Sequence, residues 1–322
     1  MKTILVTGAS GYIGSITVTE LALRGYKVIA ADRNTTLSDA FDPYPVVARK
    51  NIVPYILDYS DSVSVQQCLL QEDVDAVVHI GATSLVGPSV TDPALYYENN
   101  VEGTKALLDA CRIQSVNKIV FASSAATYGE ATGECVEDSG ETPCNPYGWS
   151  KRMTEIMLQD YHTAYGIDSI SFRYFNVAGS AHGLGQQKQA THLIARIMES
   201  KEFTIFGTDY DTPDGTAIRD YVHVSDIANA HVAALQYLEN NSICTRINLG
   251  SGVGNSVKQI ISAVNTQTDL NIKATHAERR AGDPARLVAN IDRAKQLLNW
   301  EPQKGLDKIV YSAYNWYYKQ EA

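Results

Sequence analysis

At 322 residues, against domains of roughly 150 residues each, the chain has room for about two domains and a large core that needs neither disulfides nor metals. Apolar residues make up 44% and charged residues 20%, a mix that excludes disordered and fibrous architectures. The 27 basic and 36 acidic residues leave a net charge of −9, which repels phosphate backbones and argues against a nucleic-acid partner. An anionic ligand would need positive charge gathered in a pocket. No run approaches the roughly 18 apolar residues of a membrane span, and Met1 to Gly8 reaches glycine too soon for a signal peptide. The expectation is a cytoplasmic protein with no membrane partner. Cys68, Cys111, Cys135, Cys144 and Cys244 form no C-x-x-C pair and read as free thiols, and no metal is implied.

Thr3–Thr7 is a β-branched run that predicts a buried strand, and Tyr12–Arg24, with apolar residues three and four apart, predicts the helix after it. The alternation then repeats. Lys27–Ala31, Ile52–Leu57, Ala76–Ile80 and Lys118–Ser123 read as further strands, and Ser60–Gln71 and Pro93–Gln114 as helices between them. That order predicts an α/β fold, a Rossmann-type doubly wound parallel sheet. Asn145–Tyr165 predicts a long helix and Ser169–Tyr174 another strand. Past Asn176 the rhythm changes. Residues 177 to 218 are rich in Gly, Gln, Asp and Thr around one helix at His192–Ser200, so a first domain is expected at 1–176 and a second, smaller α/β lobe at 177–322. Within that lobe 222–238 reads as a strand and helix returning to the first domain. Leu306–Lys319 is the last helix, its Tyr and Trp residues read as packing.

Thr7-Gly8-Ala9-Ser10-Gly11-Tyr12-Ile13-Gly14 turns directly from the first strand into the first helix. Glycines are needed there for the sharp turn, for close approach of backbone N–H groups to a pyrophosphate, and for helix–strand packing. A ligand-free tight turn would explain Gly8, Gly11 and Gly14. It would not explain Asp32, which ends the second strand where a carboxylate accepts hydrogen bonds from a ribose diol. A dinucleotide is expected, and Asp32 favours NAD because it repels a 2′-phosphate, although Arg33 could pair with one. Asp58, after the third strand, is either an acceptor for the adenine amino group or part of a helix N-cap.

Tyr147 and Lys151 stand four apart near the start of the Asn145–Tyr165 helix, on one face. A free phenol has a pKa of about 10, and a nearby cation favours the phenolate, so the pair can remove a proton from an alcohol. Ser124 ends the fifth strand, at the sheet edge where ligands of open α/β folds bind, and its hydroxyl can hold the reacting oxygen. An isolated Tyr–Lys pair is usually solvated surface; the glycine turn and Ser124 turn it into a candidate site.

The glycine turn with Ser124, Tyr147 and Lys151 resembles the extended short-chain dehydrogenase/reductase superfamily. The resemblance narrows at Arg173-Tyr174-Phe175-Asn176, Ile205-Phe206-Gly207-Thr208-Asp209-Tyr210, Arg219-Asp220-Tyr221-Val222-His223, Asn248-Leu249-Gly250-Ser251-Gly252 and Arg279-Arg280-Ala281-Gly282-Asp283. With these, nearly the whole chain is similar to the UDP-glucose 4-epimerase family of nucleotide-sugar epimerases. The resemblance implies interconversion of UDP-glucose and UDP-galactose by transient oxidation at C4 with bound NAD, turning of the 4-keto sugar, and hydride return. It implies that Tyr147 takes the proton beside Ser124 and Lys151. Tyr12, Ile13, Asn99 and Tyr174 join the cofactor set. Arg219 and Arg280 would bind the diphosphate, Asp283 the uridine ribose and Asn176 a phosphate or sugar oxygen, with His192 and Leu193 also on the substrate. Leu287, the fourth residue after Asp283, would line the pocket near the sugar 2-substituent, its alternative being core packing beside Val288.

Two positions depart from the family pattern. Ser84 stands where many members have a cofactor-contacting lysine, and Gly179–Thr191 is short. Other substrates remain open, UDP-N-acetylglucosamine among them. A dehydratase or decarboxylase would share the keto intermediate, but Ala125 and Ala126 follow Ser124 where dehydratases carry an acid pair, so elimination lacks its proton shuttles. A non-catalytic dinucleotide sensor is expected to have lost Tyr147 or Lys151. The superfamily implies a homodimer through Asn145–Tyr165 and Pro93–Gln114.

Overall fold

The short β-branched runs become the strands of one sheet because both its faces are covered. A computed structural model describes residues 1–33, 46–131, 133–187, 192–200, 202–279 and 283–318. Strands β1 (Thr3–Thr7), β2 (Lys27–Asp32), β3 (Ile52–Ile56), β4 (Ala76–His79), β5 (Lys118–Ser124), β7 (Asp168–Tyr174) and β13 (Cys244–Leu249) form a seven-stranded sheet in the order β13-β7-β5-β4-β1-β2-β3, every pairing parallel. Alternate side chains serve opposite faces. Ile4, Val6, Val28, Val78 and Val120 pack with helices α1 (Tyr12–Leu23) and α6 (Val224–Asn240), whereas Leu5, Ile29, Val77, Ile119 and Phe121 pack with α2 (Ser62–Gln71), α3 (Gly103–Ile113) and α4 (Pro146–Tyr165). Burial of each large aliphatic contributes roughly 1.5–3 kcal/mol, which is why the strands read as continuous apolar runs. Pro54 is tolerated because β3 is an edge strand.

The order reverses between β1 and β4, so a crevice opens outside their carboxyl ends. Gly8 follows β1 and Gly81 follows β4. Gly8 has φ +69°, and a Cβ there would lie 2.7 Å from the Gly81 backbone. A side chain on Gly14 would run into the Gly8 carbonyl.

A second, mixed sheet runs β14 (Gly254–Ser256), β12 (Ile218–His223), β16 (Arg286–Ala289), β6 (Gly133–Cys135), with β8 (Asn176–Ala178) paired to the far half of β12. Beside it lie a hairpin, β9 (Ser180–Ala181) with β10 (Leu184–Gly185), and a parallel pair, β11 (Glu202–Phe206) with β15 (Lys273–Ala277). Helices α5 (Leu193–Glu199), α7 (Val257–Gln267) and α8 (Leu306–Tyr318) pack around their own apolar cluster. Among the described residues the chain passes between the two sheets five times, leaving the large sheet for β6, returning for β7, leaving again for β8, returning through α6 to β13 and leaving for β14.

The expected helix Pro93–Gln114 is broken into Pro93–Tyr96, a π-helical turn at Tyr97–Glu102, and α3. The turn places buried Asn99 and Asn100 side by side, where Asn100 bonds to both backbone groups of Thr83 and to Ser150 Oγ. Among the described residues no helix is long and apolar enough to cross a membrane.

Candidate active site

The glycine turn opens a cleft of about 450 Å³. Gly8, Gly11, Tyr12, Ile13, Gly14, Asp32, Asp58, Asn99, Tyr147, Lys151 and Tyr174 all line it. Helix α1 begins at Gly11 with no side-chain cap and no acid in its first turn, so its leading N–H groups are left for an anion. Asp32 Oδ2 accepts from Ser10 N at 3.1 Å and Ser10 Oγ at 2.6 Å, which fixes the carboxylate at the cleft edge. Asp58 accepts from Ser60 N and Oγ at 2.9 and 2.7 Å. The cap of α2 is Asp61, whose side chain accepts from Val63 N and Ser64 N. Ser84 lines the same cleft.

Helix α4 is started by Asn145, which accepts from Gly148 N at 2.9 Å, and by Pro146 at the first helical position. This sets Tyr147 and Lys151 on the cleft side. Lys151 is buried, its Nζ donating to the Ala122 carbonyl at 2.8 Å and lying 5.9 Å from the Tyr147 ring centre. Burial pushes its ammonium down to about 7, with Glu155 pulling the other way. Burial raises the Tyr147 phenol above its ordinary value, and the Ser124 hydroxyl acts to lower it. Burial thus works against the charge of the expected phenolate-favouring cation. Ser124 ends β5 and caps the following turn through Ala126 N at 3.1 Å; it is not among the residues lining the cleft.

A second cavity of about 240 Å³ is lined by Asn176, His192, Leu193, Arg219 and Asp283. Arg219 is ion-paired with Asp283 and donates to the Ile218 carbonyl at 2.8 Å. The two cavities share Gln186 and His192. Arg280 lies outside the described residues. Leu287 lines neither cavity: on β16, opposite Gly133 and beside Arg219, it packs against the cluster of Ala125, Tyr128 and Phe175.

Residues 4–250 match the family model for the NAD dependent epimerase/dehydratase family. The chain belongs to that family. It is 39% identical to a UDP-glucose 4-epimerase of Rhizobium meliloti (strain 1021), covering 98% of this chain and 96% of the relative. Its fold is similar to that of a UDP-glucose-4-epimerase from Stenotrophomonas maltophila with bound NAD and formylated UDP-arabinopyranose, with TM-score 0.94, 31% identity, and 100% and 99% of the two chains covered. It is also similar to the UDP-glucose 4-epimerase from Bifidobacterium longum in complex with NAD+ and UDP, with TM-score 0.89, 33% identity and 99% of each chain covered.

As a member of the NAD dependent epimerase/dehydratase family the chain is an isomerase using NAD, and its residues fit that cofactor. The turn at Gly8 and Gly14 has no space for Cβ atoms, the first helix end is uncapped, and Asp32 stands at the cleft edge. Tyr174, implied in the cofactor set, lies on the cleft, whereas Gln186, Trp316 and Tyr317 were not legible as site residues in the sequence. Tyr174, on the cleft, is held by His231 Nε2 at 2.8 Å. His231 Nδ1 faces the Ile227 carbonyl at 2.9 Å, which makes Nδ1 the protonated nitrogen and the Tyr174 hydroxyl the donor. Trp316 and Tyr317 line the second cavity, and Trp316 Nε1 donates to the Gln186 carbonyl at 2.8 Å. The apolar stripe of α8 is packing through Ile309, Val310 and Ala313, but its last turn emerges over the cavity.

Proposed function

We propose that this chain interconverts UDP-glucose and UDP-galactose, with Tyr147 taking the proton of the sugar 4-hydroxyl and giving it back. The observation that carries this reading is the meeting of the two cavities at Gln186 and His192, so that a nucleotide sugar seated at Arg219 reaches the Tyr147 side of the cleft. When bound, NAD would supply a reversible acceptor for the C4 hydride. The chain's own residues hold the ligands and move the proton. Lys151 offsets the charge that develops on the Tyr147 oxygen, and Ser124 steadies the reacting oxygen from the end of β5.

Arg219 is a bidentate partner for a diphosphate, and Asp283 an acceptor for the uridine ribose; Arg280 would add the second cation that an acidic protein must gather for this ligand. Asn176, His192 and Leu193 would line the sugar, with Arg219 and Asp283 holding the nucleotide end. That division suits inversion, because the sugar has to present its other face while the rest of the ligand stays anchored, and binding energy is then spent away from the reacting centre. Ala125 and Ala126, both without a titratable group, offer no route to elimination.

Around this chemistry we infer two lobes, a cofactor lobe on the seven-stranded sheet and a substrate lobe on the mixed sheet, with 224–249 returned to the first. We also infer a cytoplasmic homodimer. Trp149, Met153 and Ile156 form an exposed apolar stripe on α4, continued by Val86, Val90 and Leu95. The deciding experiment for function is NMR analysis of the product from UDP-galactose deuterated at C4. UDP-glucose with the label still at C4 is expected; label lost to water would overturn the mechanism.

A further inference from the structure

Three consecutive residues of β5 address three positions on one face of α4. The Ala122 carbonyl accepts from Lys151, Ser123 Oγ donates to Glu155 Oε1 at 2.6 Å, and Ser124 acts on Tyr147. Tyr147, Lys151 and Glu155 follow one another at intervals of one turn. Glu155 is buried, and a buried carboxylate has to be paired. Its nearest partner is Arg173 of β7, itself fully buried, which donates from Nε at 2.9 Å and from Nη2 at 2.6 Å, and Arg152 Nη1, one turn before it on α4, stands 3.7 Å from Glu155 Oε2. Arg173 also bonds to Glu141 and, at 3.2 Å, to the Glu137 carbonyl. A buried ion pair of this kind is weak support for stability, since apolar residues of similar volume commonly serve as well. Its position, one turn below Lys151, gives it another use.

We propose that Glu155, clamped by Arg173 and Ser123, is a positioning residue that keeps Lys151 charged beneath Tyr147 and thereby sets the pH range of proton transfer. This rests on the roles of Tyr147 and Lys151 given above. Lys151 is faced by Tyr147 and Glu155 from its own helix and by the Phe121 ring at 4.9 Å from β5. From β4 it is faced by His79, which burial keeps neutral at about 3. β7 brings Tyr174 and the Glu155-bound Arg173, and Tyr96 stands behind Tyr147 with ring centres 6.4 Å apart. Glu155 is the one carboxylate in that set. With burial already holding the ammonium down to about 7, loss of the carboxylate charge discharges it at lower pH.

Glu155→Gln keeps the shape and removes the charge. In the NAD-loaded enzyme, kcat for UDP-galactose measured from about pH 6 to about pH 9.5 should show its alkaline limb moved down by about one unit, so that activity at high pH falls about tenfold while KM stays within about twofold. Glu155→Asp, which retains the charge but withdraws it by one methylene, should move the limb the same way by less. An unmoved limb in whichever variant folds, or a kcat lowered by one factor at every pH, overturns the proposal. Lys151→Met separates the two readings. If it retains activity, the assigned role of Lys151 is wrong; if it is inactive while the Glu155 variants keep the wild-type profile, only the role of Glu155 is wrong.

Discussion

At Tyr147 a single oxygen distinguishes a proton carrier from a spectator. Tyr147→Phe leaves the ring against Tyr96 and both cavities intact, so NAD content and UDP affinity should stay within about twofold while kcat falls at least about 10²-fold, the usual worth of a general base. A variant with half the activity would remove Tyr147 from the mechanism. At Asp32 the carboxylate is already aimed by Ser10, and the nucleotide released on denaturation should be NAD or NADH. Asp32→Gly, with Arg33 still in place, should raise the share of NADP; an unchanged share would mean that Asp32 does not read the ribose. These residues were legible because their chemistry is local: a tyrosine four from a lysine, or an acid at a strand end, carries its meaning in the spacing. Gln186 carries none, since it matters only because the fold brings it to where two cavities meet. Leu287 was placed by counting along a loop, whereas the pairing of β16 decides which face its side chain takes. Asp58 was left open between an adenine contact and a helix cap; the helix starts after Asp61, which takes the cap itself.

The C-terminal helix shows the same limit at the scale of an element. Its period and its core face at Ile309, Val310 and Ala313 were readable, but a stripe of aromatics does not say where a groove ends and a cavity begins. Trp316 packs its indole on Gly185, where a Cβ would be 2.6 Å from the ring, and ties down the Gln186 carbonyl. Trp316→Phe removes that one donor. Losing a hydrogen bond worth about 1 kcal/mol should raise KM for UDP-galactose roughly fivefold and lower kcat much less; unchanged kinetics would show that Gln186 needs no such support. The strands of the large sheet were legible as buried apolar runs, with the exception of β13. Its first half, Cys244 to Arg246, is only half-buried at the sheet edge, so the run is too short and too polar to announce itself. The π-turn was hidden for a related reason, because one extra residue in a helix barely disturbs a period of three and four.

Across the whole molecule two properties depend on surfaces and on burial summed over elements. If α4 and its neighbours form the dimer face, Met153→Arg sets a charge in the middle of the stripe, and light scattering should report a monomer whose melting temperature depends less on concentration; a dimer that persists would place the interface elsewhere. The second property is acid lability. His79, His223 and His231 come from three different elements and are all buried. Burial lowers each from an ordinary 6.5, to about 3 for His79 and His223 and about 4 for His231. Below pH 6.5 the unfolded chain binds protons that the folded chain refuses, so stability is fully present above 6.5 and is lost as pH falls towards the folded values. Between pH 6.5 and pH 5 each histidine accounts for up to about 2 kcal/mol, and three together approach the lower end of a typical folding stability of about 5–15 kcal/mol. Asp220 and Asp226, raised by burial against their backbone hydrogen bonds, act in the opposite sense. The melting temperature should therefore drop by about 10 °C from pH 7 to pH 5. His79→Gln can keep contact with Thr7 and Thr104, which His79 reaches at 2.7 and 2.9 Å, and it should shrink that drop by about a third. A melting temperature that is flat over this range would mean that the three rings take up protons in the folded state after all, and that their burial is relieved before the fold is lost.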